Sequence, residues 1–141
     1  MSKCRHPNGS WRLAFALEWE KQRLDGIGLA HLIPKIEDRR DRPGFGYDFL
    51  SHTSSKRARF IEVKSVGKLI GGGGHRFFLS ENEHAVSISP DHRDAYFFYL
   101  VFFDRDGKPT ELRPISADGL YGHSEMLPAS YVVRFDFGHS A

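Results

Sequence analysis

Asp48, Glu62 and Lys64 are the residues of this chain whose types and spacing could do chemistry. They lie in GFGYDFLSHTSSKRARFIEVKSV, residues 44–66, where two apolar segments flank a polar, basic turn and so read as a hairpin. Side chains alternate faces along a strand. Ile61 and Val63 therefore point one way, and Glu62 and Lys64 the other. In the preceding segment Tyr47 and Phe49 are expected to share one face, with Asp48 on the opposite one. Pairing of the two segments would set Asp48 near Glu62 and Lys64, although the sequence does not fix the register. Two adjacent carboxylates raise each other's pKa unless a cation sits between them. A hard divalent ion such as Mg²⁺ takes oxygen ligands, keeps several waters and commonly rests on one or two carboxylates plus a substrate phosphate. One of those waters can become the attacking nucleophile, and Lys64 would orient it or stabilise charge developing at phosphorus. Together these are the parts for metal-assisted phosphodiester hydrolysis. The plain alternative is a cross-strand ion pair on a surface, worth only about 0.2–1 kcal/mol.

The surrounding elements must hold those three side chains in place. WRLAFALEWEKQRL, residues 11–24, reads as a helix capped by Asn8 or Ser10 and ended by Gly26 and Gly28. Leu13, Ala16, Leu17 and Leu24 make its apolar stripe, and Glu20 falls on the same stripe. Residues 29–36 are expected to be a short edge strand, because Pro34 cannot donate to a ladder. Residues 37–44 read as a charged loop, and strands are predicted at 46–52 and 58–65. GKLIGGGGH then reads as a flexible stretch without the Gly-Lys-Ser/Thr ending of a phosphate-binding loop. FFLSENEHAVSIS reads as a brief strand entering a helix, with Ser80 and Glu83 in the capping-box spacing and Pro90 as the stop. AYFFYLVFF, 95–103, is apolar on both faces and so predicts a central strand of a covered sheet. DRDG at 104–107 is a turn. ELRPI and SYVVRFDF read as further strands, and 116–130 as irregular. The order gives an α/β (α+β) domain.

Composition narrows the classes. In 141 residues, 40% apolar and 13% aromatic, there is room for one core. We take residues 1–141 as a single domain, with 1–10 as a flexible tail. No apolar run reaches the roughly 18–20 residues of a membrane span, and no secretory signal is visible, so a cytoplasmic location is expected. The one cysteine, Cys4, excludes an internal disulfide or a cysteine metal cluster. The net charge of +2 hides a split: residues 1–76 hold 15 Lys/Arg against 8 Asp/Glu, and residues 77–141 hold 5 against 10. The basic half contains the hairpin, which points to a polyanionic partner. Arg39, Arg40 and Arg42 before the hairpin, and Lys56, Arg57 and Arg59 at its turn, are candidate phosphate contacts. Asn82 at the start of the second helix is a further one.

The pattern Asp48, then Glu62-Val63-Lys64, resembles the PD-(D/E)XK nuclease superfamily. More closely, WEKQRL, GYDFLS, RFIEVKS, FFLSENEHA and YFFYLVF, spanning about residues 15–103 in order, resemble the NO VEIN C-terminal domain family. The resemblance implies a restriction-endonuclease-like core, α-β-β-β-α-β, with a mixed central sheet, here extended by C-terminal strands. It implies a DNA-cleaving, Mg²⁺-dependent enzyme, Mn²⁺ serving in its place, in a restriction, defence or DNA-processing setting. Asp48, Glu62 and the Val63 carbonyl would be its metal ligands, and Lys64 would assist the attacking water. A helicase or other defence-system protein is the partner the family suggests, and two cuts in a duplex would suit a homodimer. The family usually places a glutamate near the start of the first helix. Here Arg12 and Leu13 stand there, and Glu20, two turns on, is the acid expected to act as a fourth catalytic residue. The alternative from another class is a nuclease-fold module that binds nucleic acid or a partner protein without cutting.

Overall fold

The computed structural model describes residues 7–68, 74–127, 133–134 and 136–137. Helix α1 (Pro7–Gly26) opens the chain, so residues 7–10 are helical rather than a tail, and Asn8 and Ser10 lie inside the helix instead of capping it. The segment expected as an edge strand is a 3₁₀ helix, Ala30–Lys35, with Pro34 within it. The fixed φ of proline and its missing N–H suit that tight turn. Within the charged loop are a two-residue strand β1 (Glu37–Asp38) and a 3₁₀ turn, Pro43–Phe45. The hairpin follows as β2 (Phe49–Ser54) and β3 (Arg57–Ser65).

Next, β4 (Gly67–Lys68) and β5 (His75–Arg76) pair as a small antiparallel ribbon. The glycine run mostly falls outside the described residues. Helix α2 (Glu81–Ile88) is followed by a 3₁₀ turn, β6 (Tyr96–Phe103), β7 (Pro109–Ser116) and α3 (Ala117–Tyr121). Helix α3 corrects the expectation of irregular chain after 116. Ser116 caps it by accepting from the Gly119 N–H at 3.1 Å. Half of SYVVRFDF lies outside the described residues, and its described residues, 133–134 and 136–137, are not in a strand as expected.

The main sheet is mixed, in the order β1-β2-β3-β6-β7, with β3 and β6 parallel and the other pairs antiparallel. A parallel pair needs a crossover, and the segment carrying α2 supplies it. Counted through β6, the elements of the main sheet and its helices run α-β-β-β-α-β, the expected α+β core. β6 is flanked on both sides, which is why it is apolar on both faces. Under α1, Ala16, Phe49, Ile61, Val63, Tyr99, Val101 and Leu112 form one core layer. On the other face Tyr47, Tyr96, Phe98 and Ala117 form a second, joined by Leu50, Phe60, Leu100 and Val86. Tyr47 and Phe49 are thus on opposite faces, contrary to the alternation read from sequence. Residues 46–48 are a bend, and regular β2 pairing starts only at Phe49.

Candidate functional site

The bend before β2 is built around Gly46. Its φ is 76°, and a β-carbon there would lie 2.6 Å from Val86 Cγ2 and 2.9 Å from Val86 Cβ. Only glycine permits both the left-handed turn and the close approach of α2. The Tyr96 hydroxyl donates to the Gly46 carbonyl at 2.5 Å, and the Asn82 amide donates to the Pro43 carbonyl at 2.9 Å. Residues 43–46 are in this way pinned between β6 and α2.

Asp48 leaves this turn with its backbone still paired. Its N–H donates to Ile61 O at 2.8 Å, and its carbonyl accepts from Arg39 N–H at 2.7 Å. Its side chain turns along the β3 edge, and Oδ2 accepts the Val63 N–H at 2.8 Å. A carboxylate thus takes the ladder place that β2 would fill if it began two residues earlier. In an extended strand a residue's N–H and C=O point off the same edge, so the Val63 carbonyl is directed to the Asp48 side as well.

Glu62 and Lys64 stand on the face of β3 that carries Phe60, opposite α1. Glu62 is buried, at 3% exposure. Lys64 Nζ lies 3.5 Å from Glu62 Oε2 and 2.6 Å from Glu83 Oε1. Glu83 also accepts the Ser80 N–H at 3.0 Å, and its own N–H donates to Ser80 Oγ at 3.1 Å, completing the capping box of α2. One side chain therefore ends a helix and grips the lysine. The capping-box spacing accounted for Glu83 in the sequence and hid its second contact, which depends on how α2 crosses the sheet.

The electrostatics follow from too many acids in too little water. Burial, then the negative charges of Asp48 and Glu83, push the Glu62 carboxyl up to about 9, against the pull of Lys64. Burial also raises Asp48, opposed by its bond from Val63 N–H and by the charges of Arg12 and Lys64. Burial presses on Glu83 too, but the hydrogen bonds from Lys64 and the Ser80 N–H outweigh it and hold that carboxyl below the usual range. At neutral pH Glu62 is therefore a neutral acid hydrogen-bonded to ionised Glu83.

The donor set fits a hard divalent cation: two carboxylates that burial pushes up, beside a backbone carbonyl directed to the same edge. Among the described residues there is no group of three or more His, Cys, Asp or Glu side chains suited to hold a metal ion.

The remaining candidates are placed differently. Glu20 is buried at 1% exposure beneath α1, on the opposite face of the sheet from Glu62 and Lys64. It accepts from Arg23 Nε at 2.8 Å and from Ser51 Oγ at 2.6 Å, and also from the Tyr99 hydroxyl. The stripe it shares with Leu13 and Leu17 is the core-facing stripe, which is why it points into the sheet instead of the candidate site. Arg59 is buried as well. It donates to Tyr99 OH at 3.0 Å and Thr53 Oγ1 at 2.9 Å, and its guanidinium lies 3.9 Å from the Phe97 ring centroid, so it is committed to the core. Lys56 and Arg57 are exposed at the hairpin turn. Arg57 is five residues from Glu62, roughly 17 Å along an extended strand, so the turn is not beside the site as expected. Arg39 and Arg40 are close: Arg39 adjoins Asp48 through the backbone while its side chain bonds Glu37 and Tyr47 OH, and the charge of Asp48 acts on Arg40, which pairs with Asp38. Arg42 is exposed. Asn82 is a strut for residues 43–44 rather than an open donor.

Comparison with known families settles one matter. The model of the family Protein NO VEIN, C-terminal, matches residues 13–115. The chain belongs to this family. No curated protein and no solved structure matches it. The matched span runs from the second turn of α1 to the end of β7, and includes Asp48, Glu62, Lys64 and Glu83. Arg12 stands one residue before it. Among the described residues, no helix is long and apolar enough to cross a membrane.

Proposed function

We propose that this NO VEIN C-terminal domain is a divalent-metal-dependent nuclease of PD-(D/E)XK type that hydrolyses DNA phosphodiester bonds. What supports the reading is that Asp48 accepts the Val63 N–H between Glu62 and Lys64, that Lys64 lies 3.5 Å from Glu62, and that the charge of Asp48 acts on Glu62. Asp48 Oδ1, an oxygen of Glu62 and the Val63 carbonyl would hold Mg²⁺ or Mn²⁺. The bound ion would supply charge neutralisation and an activated water.

The chain's own residues do the rest. Glu62 gives up its proton to act as a ligand. Lys64, steadied by Glu83, presents its ammonium to the negative charge that gathers on the phosphate oxygens as the bond from phosphorus to the leaving oxygen breaks. Arg12, Arg40 and Arg42 offer cations for neighbouring phosphates. A restriction, defence or DNA-processing setting, with a helicase-like partner supplying targeting, accords with the small basic surface and with the family.

One observation favours a second reading. Arg12 puts a guanidinium within electrostatic reach of Asp48, where an acid would have strengthened metal binding. A domain that binds nucleic acid without cutting it would have that charge pattern. Incubation of the purified protein with plasmid and Mg²⁺ or Mn²⁺, beside Lys64→Ala, separates the two. Nicking or linearisation that the variant loses supports the nuclease. Salt-sensitive binding by both proteins, with intact plasmid throughout, supports the binder.

A further inference from the structure

A cavity of about 390 Å³ opens on the same sheet face as Glu62 and Lys64, with His75, Arg76, Phe77, Leu100, Phe102 and Arg113 in its lining. Its volume lies within the range of small-molecule sites, about 300–1,000 Å³. The strand register ties it to the candidate site. Lys64 pairs with Leu100, and Leu100 pairs with Arg113, so these three stand in one row across β3, β6 and β7. At about 4.8 Å per strand, Arg113 is roughly 10 Å from Lys64.

The lining has two kinds of group. Phe77, Phe102, Leu100, Ile115 and Leu120 supply apolar and aromatic walls. Arg76, Arg113 and His75 supply the polar rim; Arg113 Nε also donates to Glu111 Oε2 at 2.7 Å, an exposed pair that a phosphate would have to share or displace. The Arg113 guanidinium lies 5.4 Å from the Phe102 centroid, and the His75 ring stands edge-on to Phe102 at 5.4 Å. Arg76 lies 5.0 Å from the ring of Phe78, an exposed side chain outside the cavity lining. Flat aromatic surface interleaved with guanidinium groups is the chemistry that holds an unpaired nucleotide, the base stacked on a ring and the phosphate on a cation. A strand running from Lys64 along the row to Arg113 would set a phosphate at each cation in turn.

We propose that this cavity is a subsite for an unpaired nucleobase of a single strand, next to the phosphate handled at Asp48, Glu62 and Lys64. Its position relative to the cut rests on the nuclease reading, whereas its affinity for a single strand does not. The base stacks against Phe102, and Arg76 and Arg113 contact the flanking phosphates.

Fluorescence anisotropy in EDTA, with labelled dT12, U12 and a 12-base-pair DNA duplex, tests this without any cleavage. Both single strands are expected to bind tighter than the duplex, and the dT12 and U12 arms report whether the 2′-hydroxyl matters. Phe102→Leu keeps apolar volume but removes the stacking face. It is expected to weaken single-strand binding about 5- to 150-fold, from the usual worth of one stacked base, and to leave duplex binding unchanged. Arg113→Gln, at an exposed position, is expected to reduce the salt dependence by about one phosphate contact on single strands only. It carries the test if Phe102→Leu fails to fold. Single-strand binding that is no tighter than duplex binding, or unchanged by these substitutions, overturns the proposal, as does restored affinity only after removal of residues 128–141, which would make the chain's own C-terminal segment the occupant. A protein that binds dT12 through Phe102 and never cuts keeps the subsite and loses the nuclease. One that cuts and ignores Phe102→Leu does the reverse.

Discussion

Replacing Glu62 by glutamine should make the metal-free protein more stable, and the gain should grow with pH. Glu62 is buried and its carboxyl is pushed up to about 9 from an ordinary 4.5. A raised carboxyl binds its proton more tightly in the folded than in the unfolded chain. Its contribution to stability is therefore fully present below pH 4.5 and is lost as pH rises towards 9. Each unit between those limits is worth about 1.4 kcal/mol, so folding at pH 7 carries a penalty of about 3 kcal/mol for protonating this one group. Glutamine is the neutral isostere. It can donate to Glu83 as the protonated acid does, and it relieves Asp48 of a neighbouring charge. Urea melts of the two proteins at pH 5, 7 and 8.5 in EDTA should show Glu62→Gln ahead by a margin that widens by about 1.4 kcal/mol per unit. Saturating Mg²⁺ should close the gap, because it stabilises only the protein that can ligate it. A margin that is absent at pH 8.5, or constant from pH 5 upward, would refute the claim that this carboxyl is held neutral by its surroundings.

Two further substitutions separate scaffold from site. Glu20→Ala leaves the Arg23 guanidinium without its buried partner, so thermal or urea melting should show a loss of about 3–5 kcal/mol; any DNA cleavage per folded molecule should survive, and its loss in a protein that melts normally would return Glu20 to the site. Gly46→Ala sets a β-carbon against Val86 at a positive φ, at a cost of about 2–4 kcal/mol from backbone strain and overpacking together; the hydrogen–deuterium exchange of the Val63 amide should speed up as Asp48 shifts, and an unchanged rate would show that Gly46 does not position that carboxylate.

What the sequence made legible was governed by short-range rules. Alternation in β3 set Glu62 with Lys64 and apart from Ile61 and Val63, and the doubly apolar run at 96–103 marked an interior strand. Ser80 and Glu83 marked the start of α2. The misreadings arose where backbone geometry or tertiary crossing decides. Tyr47 and Phe49 break alternation because Gly46 takes a left-handed turn that no periodicity records. The apolar stripe that carries Glu20 points to the core, where the Tyr99 hydroxyl, 79 positions away, donates to it, and not to the site as the first helix's lone inward acid suggests. Lys56 and Arg57 were expected beside the acids, but a hairpin turn lies as far from the strand ends as the strands are long. Glu83 was hidden because one sufficient local explanation masked a contact with Lys64, 19 residues earlier.

The central claim is that the carboxylates at 48 and 62 share one divalent cation. Electron paramagnetic resonance of Mn²⁺ titrated into the protein at pH 8 measures this directly, without reference to any substrate. The account predicts one bound ion per chain, an affinity that rises with pH as Glu62 ionises, and loss of that ion in both Asp48→Asn and Glu62→Gln. Mn²⁺ that does not bind, or that binds equally well to either variant, would contradict it.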